Sequence, residues 1–80
     1  MIITSSLKTY IHGLCTRIVA KYYCDGDSLK LYHEITDWVE NSVGDYARID
    51  DHLAIYGQHV EIHIDFEREE DAALFKLFWS

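Results

Sequence analysis

Residues 59–67 constrain this chain more than any other stretch. Val60, Ile62, Ile64 and Phe66 alternate without a break with His59, Glu61, His63, Asp65 and Glu67. A period of two over that length describes a strand with one face in a core and the other in water. A lone strand has nothing to pair with, so the neighbouring residues must supply a partner. Ile49, Leu53 and Ile55 share one parity, and Gly57-Gln58 lies between them and the strand. Glycine in the first of two turn positions suits a type II′ hairpin. That turn sets Ile55 opposite Val60, Leu53 opposite Ile62 and Ile49 opposite Phe66, all on one face. Asp51 then meets Ile64 and Asp50 meets Asp65, which are poor pairs, whereas Arg48 opposite Glu67 is a good one. The Asp50-Asp51 pair therefore reads as a bulge or as a second tight turn. The second option gives a three-stranded meander of 46–49, 52–56 and 59–66.

The remaining apolar residues follow another spacing. Leu7, Tyr10, Ile11, Leu14, Cys15, Ile18, Val19 and Tyr22 recur three and four apart, which predicts a helix over 5–23 capped by Ser5 or Ser6. Ile2-Ile3-Thr4 is an edge strand or a lead-in to it. Gly13 falls on the polar side of that helix, at a cost of about 1 kcal/mol relative to alanine. Asp25-Gly26-Asp27 is a turn. Asp27 or Ser28 caps a second helix, with a stripe of Leu31, Tyr32, Ile35, Trp38, Val39 and Val43. Gly44 stands where a left-handed C-terminal residue belongs. Glu69, Glu70 and Asp71 form the acidic first turn of a third, short helix that runs to Trp79. In it Leu74, Leu77 and Phe78 make a core face, leaving Phe75 and Trp79 to point elsewhere. The expected architecture is α+β in two layers. An antiparallel hairpin or three-stranded meander packs against two N-terminal helices and a short C-terminal helix, as one domain over 1–80.

Composition limits the function classes. Eighty residues bury only about 60% of their unfolded surface, which leaves little room for a deep pocket. Fourteen acids against seven Lys and Arg give a net charge of −7. Residues 1–24 hold Lys8, Arg17 and Lys21 and no acid, for +3, so the rest of the chain stands at −10. Such a body repels a nucleic-acid backbone and attracts basic protein surfaces. No apolar run nears the roughly 20 residues that cross a bilayer, and no secretory signal is visible. Cys15 and Cys24 are too few for a disulfide framework and are expected reduced, in a cytoplasm.

Four constellations merit weighing. In the hairpin register His52 faces His63, with Glu61 beside it and His59 beyond, and such groups at alternate strand positions can converge on zinc. The spacing is no specific motif, and an exposed mixed polar face is the commoner outcome. Catalysis finds less support: no GxSxG elbow or glycine-rich phosphate loop occurs, and Cys24 beside Asp25 sits in a setting that blunts a thiol. Neither an enzyme nor a cofactor is expected. Asp50, Asp51, Glu61, Asp65, Glu67, Glu69, Glu70 and Asp71 gather on or near the hairpin and its exit. A rigid array of carboxylates can imitate a phosphate backbone and occupy the basic groove of a nucleic-acid-binding protein. Phe75 and Trp79, if they miss the core, offer an aromatic contact for a partner or for a second copy.

The tail adds a pointer of another kind. Asp71, Ala72, Phe75, Lys76, Leu77 and Trp79 follow the strand and its acidic turn as Asp-Ala-x-x-Phe-Lys-Leu-x-Trp. This ending resembles that of short proteins of large tailed bacteriophages, which carry no assigned activity. It covers the last quarter of the chain and transfers no catalytic or binding residue. The resemblance implies a small product that binds, and inhibits or modulates, a host protein in the host cytoplasm.

Overall fold

The computed structural model describes residues 2–50, 54–56 and 58–79. It is α+β. Strands β1 (Ile2–His12) and β2 (Cys15–Cys24) form a hairpin, followed by helix α1 (Ser28–Ser42) and a 3-10 turn at Gly44–Tyr46. Three strands follow, β3 (Ala47–Ile49), β4 (Ala54–Tyr56) and β5 (His59–Phe66), and helix α2 (Glu69–Trp79) completes the order. The antiparallel sheet runs β1-β2-β5-β3, and β4 pairs with β5 further along the edge that β3 uses.

Residues 5–23 therefore form strands, not the expected helix. Two facts explain the difference. Ile3, Thr4, Thr9, Tyr10, Ile11, Thr16, Ile18, Val19, Tyr22 and Tyr23 are β-branched or aromatic and suit a pleated surface. Gly13 stands at φ +65° while Leu14 keeps a negative φ, the pattern of a type II′ turn between His12 and Cys15. Glycine opens that turn because a side chain resists the left-handed region. The ladder continues from His12 opposite Cys15 to Ser6 opposite Lys21, then shifts by one residue at Ser5, a β-bulge. In β2, Ile18, Ala20, Tyr22 and Cys24 are buried. They lie opposite Ile64, Ile62 and Val60 or follow in the same parity. The clean alternation of β5 thus has a partner on each side.

The expected register holds where β4 pairs with β5, while Gly57, the first position of the expected turn, lies outside the described residues. Ile55 faces Val60, Ala54 faces Glu61 and Tyr56 faces His59. Farther away it slips by two, so Ile49 faces Ile64 and Arg48 faces Asp65. Asp50 N–H still donates to the His63 carbonyl at 2.8 Å, and Leu53, expected opposite Ile62, lies outside the described residues. The three-stranded meander is not formed, because β3 and β4 both pair with β5, and Asp51 of the expected bulge or tight turn lies outside the described residues. The slip moves Arg48, in place of Asp50, across from Asp65, which removes an acid–acid pair.

Helix α1 follows its expected bounds closely. The Asp27 carboxylate accepts from Leu29 N–H and Lys30 N–H at 3.0 and 3.2 Å. Gly44, just past the C-cap Val43, takes φ +69°. Leu31, Ile35, Val39 and Val43 reach the core. In α2 the faces are exchanged relative to expectation. Ala72 and Phe75 are fully buried and Trp79 packs against the core, whereas Leu74, Leu77 and Phe78 are exposed. Spacing of i, i+3 and i+7 from Ala72 carries the inward stripe. Phe75 fills the space between Phe66, 5.6 Å away, and Trp38, 5.9 Å away, by ring centroids. Both helices cover the same face of the sheet, and each buried aliphatic side chain there contributes about 1.5–3 kcal/mol.

Candidate functional site

Two surfaces carry the candidate residues. The first is the uncovered face of the sheet, where β2 and β5 present their second parity. Arg17 lies opposite Asp65, Val19 opposite His63, Lys21 opposite Glu61 and Tyr23 opposite His59. Arg17 donates Nε to Asp65 Oδ1 at 2.7 Å and Nη2 to Oδ2 at 2.9 Å, a bidentate fork. The same guanidinium reaches Asp50 at 3.7 Å. The two carboxylates, Asp65 above all, raise the Arg17 pKa further. Lys21 Nζ lies 3.3 Å from Glu61 Oε1, and His63 Nε2 lies 3.4 Å from Glu61 Oε2. Partial burial pushes the Glu61 carboxyl up, but the Lys21 ammonium and the nearby His63 ring outweigh it and hold the group below its usual range. Tyr23 meets the His59 ring edge-on at 5.2 Å and donates its hydroxyl to Gln58 Oε1 at 3.0 Å.

This arrangement changes how the sequence-derived candidates read. Of the metal set, His59, Glu61 and His63 do share one face, and His52 lies outside the described residues. Glu61 is engaged by Lys21, and among the described residues no three His, Cys, Asp or Glu side chains are grouped to hold an ion. Of the acidic set, Asp51 lies outside the described residues. Asp50, Glu61 and Asp65 are matched by Arg17 and Lys21. Asp71 is buried and accepts from Arg68 Nε at 2.7 Å. Arg68 in turn lies over the Tyr46 ring, 3.8 Å from its centroid. Glu67, Glu69 and Glu70 remain exposed at the entry to α2. Arg17 and Lys21 join the site only because residues 5–23 form strands and not the expected helix. Their alternation with Ile18, Ala20 and Tyr22 was the available signal.

The second surface is the outer side of the α1–α2 seam. Phe78, 63% exposed, stacks on Trp38 with ring centroids 5.3 Å apart and planes at 27°. Trp38 also meets Trp79 at 6.4 Å and the buried Phe75. Leu74, one turn before Phe78, is 44% exposed. Of the expected aromatic contacts, Phe75 is thus part of the core and Trp79 supports the stack from below. Their neighbour Phe78 is the outward ring. Glu34 and Asp37, exposed on α1, stand within a turn of Trp38. Farther along, an open groove of about 650 Å³ at the β3 end is lined by Glu40, Asp45, Arg48, Asp65 and Glu67.

No described helix is long and apolar enough to cross a membrane. No family model, curated protein or solved structure matches this chain.

Proposed function

We propose that this is a small, non-enzymatic protein-binding domain. The observation that carries the reading is the Phe78–Trp38 stack. A large aromatic side chain 63% exposed, seated on a second ring and flanked by Leu74, is costly to leave in water. Aromatic anchors of this kind supply most of the energy at protein interfaces. Glu34 and Asp37, exposed on α1 within a turn of Trp38, suit a partner that brings Lys or Arg beside its apolar contact. Nucleic-acid mimicry by the β5 face has less support, because its carboxylates are matched by Arg17 and Lys21. The resemblance of the tail to phage proteins extends the proposal to an inhibitor or modulator of a bacterial host protein.

The test is affinity capture from bacterial lysate with the wild type and Phe78→Ser, each at low and high salt. Phe78 is exposed, so the variant should fold. The expected result is capture of a discrete protein that survives salt and is lost in Phe78→Ser. Capture that salt abolishes and Phe78→Ser leaves intact overturns the aromatic interface in favour of the acidic one.

A further inference from the structure

No described strand pairs with the outer edge of β1, which is 11 residues long and carries neither proline nor acid. Long regular edges of this kind add strands from other chains unless something blunts them. The two-residue turn at Gly13-Leu14 makes His12 and Cys15 a hydrogen-bonded pair. Along an antiparallel ladder such pairs alternate with pairs whose N–H and C=O groups turn away from each other. By that alternation Leu7, Thr9 and Ile11, opposite Ala20, Ile18 and Thr16, direct their backbone groups to the outer edge.

The occupant follows from charge and register. The whole chain carries −7, but residues 2–24 contain no acid, and Arg17 and Lys21 are already matched by Asp65 and Glu61. The hairpin strand itself therefore brings no acid to a contact between two copies. We propose that β1 pairs antiparallel with β1 of a second copy about a twofold axis at Thr9, joining the two sheets into one. In that register Leu7 faces Ile11 of the other copy on the helix side. On the open side Lys8 faces Tyr10, so cation meets ring. Sliding the axis to residue 8 would set Lys8 against Lys8. Sliding it to residue 10 would set Leu7 against the turn at Gly13.

The helix layers of both copies then lie on the same side of the joined sheet. Each α2 flanks the seam through Ala73 and Lys76, which border an existing groove of about 420 Å³ with Thr9 and Ile11, where Lys76 offsets one of the two acids, Glu67 and Glu69, that also line it. Leu77, one turn after Ala73, is 81% exposed and Ile11 85%, so both have apolar surface to lose. A twofold contact consumes the β1 edge in both copies and closes at two.

Sedimentation equilibrium over a concentration series tests this, with Thr9→Pro and Ile11→Lys beside the wild type. Thr9→Pro removes an outward N–H without touching the β1–β2 ladder, a place where an edge strand accepts proline. Ile11→Lys changes an exposed side chain and leaves the backbone alone. The wild type should approach twice the 9.4 kDa chain mass and no more. Both variants should keep the native circular dichroism and associate at least about tenfold more weakly. If Thr9→Pro fails to fold, Ile11→Lys decides. A monomeric wild type across the series, or a folded variant that dimerises as tightly as the wild type, overturns the proposal.

Discussion

The two edges of the sheet are built differently. At one, β3 and β4 pair with β5 in two short pieces of three residues each, whose registers differ by two. At the other, β1 runs for 11 residues with a single bulge at Ser5. Charge follows the same division. Asp45, Asp50 and Asp51 lie in or near the β3/β4 segments in sequence, whereas β1 has only Lys8. Short strands, interruption and charge are the usual means by which a sheet discourages further pairing. This molecule applies them to one edge and leaves the other regular. An edge is therefore a property of its local sequence, even when both edges rest on the same two central strands.

The largest expected effect tests whether those central strands support both edges. Ile64 faces Ile18 on β2 and Ile49 on β3 and is fully buried. Ile64→Ala should cost about 2–5 kcal/mol by lost transfer energy and an unfilled cavity. Urea unfolding should remain one transition with coincident circular dichroism and tryptophan fluorescence. If the two signals separate, the edges unfold independently. A smaller effect is confined to the β1 side. Gly13 holds φ +65° with open space around the position of a Cβ, so Gly13→Ala adds strain and no clash. The expected loss is about 1–2 kcal/mol, read as a fall in melting temperature. Smaller still is Tyr22→Phe. The Tyr22 hydroxyl is buried without a hydrogen-bond partner among the described residues, and burial pushes its pKa well above the ordinary phenol value. Removing it should leave stability unchanged or raise it by up to about 1 kcal/mol. A loss larger than that would mean the hydroxyl is satisfied.

The contrast between the edges also explains what could be read beforehand. Around Gly57-Gln58 a single periodicity ran through the whole stretch, so the register of Ile55 on Val60 was legible and is observed. The slip was legible only as the misfit of Asp50 and Asp51. Around Gly13-Leu14 two periodicities competed. Ile18, Val19 and Tyr22 fit a helical stripe, while Ile18, Ala20, Tyr22 and Cys24 fit a strand, and Ala20 and Cys24 are small enough to weigh little in either. The β-branched content and the same glycine-first turn decided for the strand. Hydrophobic spacing alone does not report that β5 needs a second partner. In α2 the segment is apolar on nearly every side, so its phase was set by tertiary contacts of Phe75 with Phe66 and Trp38. Arg17 and Lys21 became site residues only once β2 was a strand beside β5.

The smallest expected effect concerns the charge that ties β2 to β5 across the open face. The Glu61 carboxyl, beside Lys21 and His63, sits below its ordinary value of 4.5. It therefore binds protons less readily folded than unfolded. That difference adds stability above the ordinary glutamate value, and the gain disappears as the pH falls from there through the lower folded value. Glu61→Gln removes this contribution. Its melting temperature should match the wild type most closely at the acid end of a titration and fall below it near neutrality. The difference should shrink with added salt, because Lys21 is more than half exposed and its pairing is screened. An equal deficit at every pH would mean that the β2–β5 junction owes nothing to the charge of Glu61.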